Sequence, residues 1–180
     1  MEAFNTELTM ATASNINESS TFHNLIHEWN LWAHLPQDPD WTNIESFKKV
    51  YNFKTLEETI AIVGSLPENL IKNCMLFIMR DGITPMWEDP KNKNGGGFSY
   101  RVSNKVVVEV WRELSCILVG ETISTNNTFV NNVTGITISP KKNFCIIKIW
   151  MSNCDHQNPQ MVTTDIKNLV PQGCLFKKHL

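Results

Sequence analysis

No stretch of this 180-residue chain is apolar for long enough to cross a bilayer. The longest runs, such as Cys74 to Met79 and Cys145 to Ile147, fall far short of the roughly 20 residues a spanning helix needs. Basic charge is scarce too: 16 Lys and Arg stand against 18 Asp and Glu, a formal net charge of −2. That balance excludes a broad, nonspecific grip on nucleic-acid backbone, which needs a large cationic excess. Any nucleic-acid contact must be local. The five cysteines are odd in number and lack close pair spacing, which argues against a disulfide framework or a zinc site and for reduced thiols in the cytoplasm or nucleus. The five histidines also lack metal-ligand spacing, so no metal and no cofactor is expected. At 42% hydrophobic and 19% charged residues, the composition is that of a soluble globular protein with one well-filled core.

The first 21 residues are mostly Asn, Ser, Thr and Ala, with Glu2, Glu7 and Glu18 and no basic side chain. Such a segment buries too little apolar surface to order itself, and it lacks the charge pattern of a secretory or mitochondrial leader. The expected division is a disordered cytoplasmic tail over 1–21 and one folded domain over 22–180. Three glycosylation sequons, at Asn17, Asn126 and Asn132, are then chance matches in an Asn-rich chain.

Leu25, Trp29 and Leu31 share one parity in a first strand that should end at Pro36. Thr55-Leu56-Glu57-Glu58 is a capping box and predicts a helix from Thr55 to about Gly64. Cys74 to Arg80 reads as a buried strand broken by Asp81-Gly82, and Pro90 to Gly97 as a turn-rich connection. Phe98, Tyr100 and Val102 then alternate as in a strand. Val106, Val107, Val110, Trp111, Leu114, Ile117 and Leu118 recur at helical spacing, predicting a helix over about 104–121. Two strands, Gly135 to Ser139 and Phe144 to Ser152, should flank a turn at Pro140 to Asn143. Alternation puts Ile146, Lys148 and Trp150 on one face of the second. A short helix and a terminal strand are expected over 164–180. Interspersed strands and helices with hairpin-like connections predict an α+β fold, an antiparallel sheet with helices on one face.

What the chain does have is tryptophan, six residues in all. One lies in Met86-Trp87-Glu88-Asp89, on a loop. An indole face attracts a cationic ring, and the adjoining carboxylate offers acceptors for two parallel N–H groups. The pair suits a flat, electron-poor base with N–H donors, and N7-methylguanine, the base of the mRNA cap, has both properties.

The segment DGITPMWEDPKNKNGGGF from Asp81, with WNLW from Trp29 and WRELSCILVGE from Trp111, resembles the cap-binding eukaryotic translation initiation factor 4E family. The similarity runs from about His23 to Trp150 and more weakly onward. Six of the family's eight characteristic tryptophans stand here as Trp29, Trp32, Trp41, Trp87, Trp111 and Trp150, and the other two positions hold Ile60 and Phe98. The resemblance implies a curved antiparallel sheet with helices packed on its convex face and the cap pocket on the concave side. It implies that Trp41 and Trp87 sandwich the methylated guanine, that Glu88 accepts from its N1–H and N2–H, that the Trp87 N–H reaches O6, and that Trp150 packs beside the N7-methyl. Lys141 matches a phosphate-binding residue, whereas Gly97, Asn143 and Ile146 stand where the family places basic side chains. Lys142 and Lys148 are the candidates to compensate.

On the helical face, the resemblance places a scaffold initiation factor or a divergent equivalent against His23, Leu56, Ile60, Arg112 and Glu113. Asn24, Ile60 and Arg112 depart from the family's proline, tryptophan and leucine. The implied function is cap binding in translation initiation by a protein that is monomeric when unbound, with no membrane attachment. The alternative is a cap-binding repressor or decoy that does not recruit the usual scaffold. A cap-processing enzyme is disfavoured: the chain has no Glu-rich helix after a glycine, no His-x-His-x-His run and no glycine-rich strand-to-helix turn, since Gly95-Gly96-Gly97 precedes a strand. A binding module that has lost its pocket is disfavoured by Trp41, Trp87, Glu88 and Trp150.

Overall fold

The structure, a computed structural model, describes residues 22–34, 38–163 and 165–179. The expected tail over 1–21 and the expected stop at Pro36 lie outside them. Strand β1 (Asn24–His34) buries Trp29, Leu31 and Ala33 on one face, as its alternation requires. It pairs antiparallel with β2 (Phe47–Thr55) and β3 (Met75–Arg80).

The sequence reading missed β2. Its apolar residues do not alternate, because the β1–β2 register slips between Leu31 and Trp32, leaving Val50 as the extra residue of β2. The slip moves the side chains beyond it to the opposite face and erases the period-2 signal.

Helix α1 (Leu56–Ser65) starts where its capping box predicts: the Thr55 hydroxyl accepts from the Glu58 N–H at 3.2 Å, and the Glu58 carboxylate accepts from the Thr55 N–H at 3.1 Å. A short α2 (Glu68–Asn73) follows Pro67. Strand β4 (Gly96–Ser103) precedes α3 (Val107–Val119), the expected amphipathic helix, trimmed at both ends, which buries Val107, Val110, Trp111, Leu114 and Leu118. A single-turn α4 (Asn127–Asn132) leads into the hairpin of β5 (Val133–Pro140) and β6 (Phe144–Met151), and β7 (Leu175–Lys178) ends the described chain.

The short helix expected near Thr164 does not form among the described residues. Asn168 and Gly173 adopt left-handed backbone at φ 70° and 82°, and Pro171 between them has no N–H to donate. The expected terminal strand is present as β7.

The seven strands form one antiparallel, curved sheet in the order β2-β1-β3-β5-β6-β4-β7. Helices α1 and α3 cover one face, where Ile62, Val63, Trp111 and Leu114 join Trp29, Leu31, Ile78, Ile136, Ile147 and Ile149 in the main core. Each such buried side chain stabilises the fold by about 1.5–3 kcal/mol relative to exposure. On the opposite face a smaller cluster of Phe47, Phe77, Met79, Ile83 and Trp150 leaves the sheet partly uncovered. Among the described residues no helix is long and apolar enough to cross a membrane.

Candidate functional site

The uncovered face holds a cleft of about 330 Å³ whose lining includes Trp41, Phe47, Phe77, Trp87, Glu88, Lys148 and Trp150. Large aromatics are normally hidden, yet Trp41 is 46% and Trp87 50% exposed. Two half-bare indoles on one cleft form a surface built for a planar partner.

Trp41 is carried by the loop between β1 and β2. There the Asp40 carboxylate accepts from the Thr42 N–H and hydroxyl, both at 2.9 Å, and from the Asn43 N–H at 3.2 Å. These bonds, Thr42's first, hold the Asp40 carboxyl below the usual carboxylate range. One face of the indole lies against His34, with ring centroids 3.5 Å apart and planes at 14°.

Trp87 is held by a loop with its own internal bonding. Asp89 accepts from the Thr84 N–H at 2.8 Å, the Thr84 hydroxyl at 2.7 Å and the Lys91 N–H at 2.8 Å. Asn92, fully buried, donates to the carbonyls of Thr84 at 3.0 Å and Met86 at 2.8 Å. Trp87 and Glu88 therefore ride on a framed turn. Glu88 is exposed, and its carboxylate accepts no hydrogen bond among the described residues, which leaves both oxygens open to N–H donors from a ligand.

Trp150 forms the floor. It is 3% exposed, its indole N–H donates to the Thr137 hydroxyl at 2.6 Å, and its ring meets Phe77 edge-on at 6.4 Å. It can touch a ligand only by one edge. Beside it the backbones run close: a Cβ on Gly95 would fall 1.7 Å from the Met151 carbonyl oxygen, so only glycine fits there. Gly97 lies between Trp150 on β6 and Lys177 on β7, and offers the cleft no side chain.

Of the three lysines expected at the phosphates, Lys148 lines the cleft, with its ammonium 5.5 Å from the Trp87 ring centroid. Burial, then Lys177 and Lys141, push its pKa down. Three ammonium groups thus feel one another at this flank, which favours an anion among them. Lys141 and Lys142 are both exposed on the hairpin turn and outside the cleft lining, with Lys141 near enough to act on Lys148 through its charge.

The helical face presents a different surface. Ile60 is 55% exposed on α1, and Glu113 is exposed on the neighbouring α3. Leu56 is half-buried. His23 is tied to Glu57, its ring nitrogen 2.6 Å from one carboxylate oxygen and its backbone N–H donating to the other at 3.1 Å. Arg112 donates to the Leu66 carbonyl at 3.3 Å.

The sequence reading missed His34, Thr137, Lys177 and His179. His179 lies parallel to Trp87 at 8° with centroids 6.0 Å apart, tilts against Trp150 at 4.9 Å, and has a ring nitrogen 2.9 Å from the Asn92 carbonyl oxygen. Burial pushes its pKa down. Lys177 comes in on β7, which pairs with β4, His179 follows it with its N–H on the Gly95 carbonyl, and His34 stacks on Trp41; only Thr137, opposite Lys148 in the β5–β6 hairpin, had a local signal.

Residues 24–179 match the family model described as eukaryotic initiation factor 4E. The chain is 32% identical over 158 residues to eukaryotic translation initiation factor 4E-2 of Schizosaccharomyces pombe, which spans 81% of this chain and 61% of that protein. It is 29% identical over 151 residues to the rice (Oryza sativa subsp. japonica) initiation factor NCBP, covering 81% and 65%. The chain thus spans less than two thirds of the length of these relatives. Its fold is similar to that of the schistosome initiation factor 4E solved with m7GpppG and 4E-BP, at TM-score 0.67 and 24% identity, covering 76% of each chain.

Proposed function

Since the chain belongs to the eukaryotic initiation factor 4E family, whose members are translation factors rather than enzymes, we propose that it binds the 7-methylguanosine cap of mRNA and acts in translation initiation. The observation that carries this reading is the meeting of two half-exposed indoles, Trp41 and Trp87, with the open carboxylate of Glu88 on one cleft. Methylation at N7 makes guanine cationic, and a desolvated cation over an indole gains about 2 kcal/mol or more. Stacking alone would hold any base, so Glu88 selects guanine by accepting from its N1–H and N2–H. The Trp87 backbone N–H completes the reading at O6, and the exposed edge of Trp150 packs beside the methyl group.

Lys148, with Lys141 and Lys177 around it, receives the phosphates, while Lys142 contributes through its charge from the turn. The grip is weaker than a full basic set would give, because Gly97 supplies no side chain. On the other face, Leu56, Ile60 and Glu113 receive a scaffold initiation factor or a divergent equivalent, with His23 and Arg112 at its rim.

A second reading, a cap-binding repressor or decoy, draws on that same face. Ile60 presents an aliphatic rather than an aromatic anchor, and aromatic anchors dominate interface energy; Arg112 is already committed to the Leu66 carbonyl. Isothermal titration with a conventional scaffold peptide separates the two, with tight binding favouring an initiation role.

Fluorescence titration with methylated and unmethylated guanosine triphosphate tests cap binding. The methylated nucleotide should bind much more tightly, and Glu88→Ala should weaken it. Equal affinity for both nucleotides would sink the proposal.

A further inference from the structure

The glycine run Gly95-Gly96-Gly97 leads into β4, between β6 and β7. A Cβ on Gly96 would fall 2.5 Å from the Lys177 carbonyl oxygen and 2.6 Å from the Phe176 ring, so β7 can close on β4 only against a glycine. Gly97 stands directly opposite Trp150 and Lys177 and shares their face of the sheet. Its place is roofed by His179, whose Nε2 lies 3.9 Å from where a Gly97 Cβ would be and whose ring tilts against Trp150 at 4.9 Å.

From there His179 grips the turn over 92–95 at two points. Its backbone N–H donates to the Gly95 carbonyl at 2.8 Å, and its Nδ1 lies 2.9 Å from the Asn92 carbonyl oxygen. A carbonyl can only accept, so Nδ1 carries the hydrogen. The gripped turn leads straight to Trp87, because the Asn92 side-chain amide donates to the Met86 carbonyl at 2.8 Å. The His179 ring also lies parallel to the Trp87 indole, at 8° and 6.0 Å, as in an offset aromatic pair. Trp87 nevertheless remains 50% exposed, and His179 is not among the side chains that line the cleft.

We propose that His179 is a positioning residue for Trp87: its Nδ1–H bond to the Asn92 carbonyl pins the Trp87 loop to the edge of the sheet and holds the indole ready to stack. The inference rests on the reading of the cleft given above. Ordering a loop and a large side chain at the moment of binding subtracts from affinity. His179 moves that ordering into the folded chain, and the base then meets an indole already in place.

Two variants separate the bond from the ring. His179→Asn keeps an N–H donor close to the place of Nδ1 and has no ring, whereas His179→Phe keeps a ring and has no donor. Neither strands a buried acceptor, because the Gly95 N–H also donates to the Asn92 carbonyl, at 2.8 Å. Both should therefore fold.

Fluorescence titrations of the full chain with 7-methylguanosine and with its triphosphate are run at one pH, so that ionisation of the methylated base is the same throughout. His179→Phe should weaken both ligands by the same factor, about three- to tenfold, the worth of one hydrogen bond. His179→Asn should stay within about twofold of the wild type. Weakening confined to the triphosphate would make His179 a phosphate contact, and equal weakening by the two variants would assign the effect to ring packing; either result overturns the proposal.

Hydrogen exchange in the free protein reads the grip without a ligand. Amides over 86–95 should exchange faster in His179→Phe than in the wild type or His179→Asn, with those of β5 and β6 unchanged. Equal wild-type affinity for 7-methylguanosine triphosphate and guanosine triphosphate would overturn the reading of the cleft and this inference together. Strong discrimination with exchange over 86–95 unchanged overturns the inference alone.

Discussion

Asn92 donates its side-chain amide to the Met86 carbonyl at 2.8 Å, and so fixes from beneath the residue on which Trp87 hangs. The same amide holds the Thr84 carbonyl at 3.0 Å. Replacing it strands two acceptors in a buried site, each costing about 1–3 kcal/mol. Asn92→Ala should therefore lower the unfolding free energy by about 2–4 kcal/mol in a urea titration. It should also weaken the methylated nucleotide more than a comparable core change elsewhere. Loss of stability without any change in nucleotide affinity would show that the loop holds Trp87 in place by other means.

Lys148 should separate base recognition from phosphate recognition. It is half-buried among Lys141 and Lys177, and its pKa is pushed down chiefly by burial, so a phosphate placed beside it relieves an uncompensated charge. Lys148→Met is expected to weaken 7-methylguanosine triphosphate about tenfold and to shift the methylated nucleoside by less than about twofold. The wild-type affinity for the triphosphate should fall with salt, and less steeply in the variant. Equal effects on nucleoside and triphosphate would place Lys148 with the base.

Arg80 and Glu121 form an ion pair at 2.9 Å with side chains only 15% and 8% exposed, shared with His27 and backed by Trp29, over which the guanidinium lies at 4.6 Å. Removing one member leaves the other charged and unpaired. Glu121→Gln should destabilise the fold by about 3–5 kcal/mol, and Glu121→Gln with Arg80→Met by clearly less. Denaturant unfolding of both variants checks the ordering.

Burial holds the Tyr100 phenol above its usual range. The folded chain then keeps a proton that the unfolded chain gives up, so this contribution is complete below the unfolded phenol's value and is lost as pH rises above about 10. Tyr100→Phe removes this buried, titrating hydroxyl and should flatten the alkaline fall in stability. Urea midpoints measured between about pH 8 and about pH 11 read it directly.

Elements whose signal is local were legible in the sequence. The capping box at Thr55 and Glu58, the periodic stripe through Trp111 and Leu114, and the alternation that puts Lys148 and Trp150 on one face all reappear in the structure. Strand β2 was hidden because a register slip at Val50 breaks its parity. Helices α2 and α4 have six residues each, too few to display a period. Trp41, Trp87 and Glu88 could be picked out as candidates from residue type and loop placement, but what stands behind them could not. No periodicity links His34 to Trp41, and Lys177 and His179 arrive from the far end of the chain, on and just after the edge strand paired with β4.

The strand order bears on when the cleft comes into being. Its walls and floor draw on β2, β3, β5 and β6, so residues from Trp41 to Trp150 must converge before it exists. Such long-range pairings carry a loop-closure cost that slows folding, and no early intermediate with only the three strands β2-β1-β3 would contain the floor. A ligand of this cleft is then a ligand of the native state alone. At a hundred times its dissociation constant it should add about 2.7 kcal/mol to global stability, and the return of its quenching after a denaturant jump would time the last assembly of the sheet.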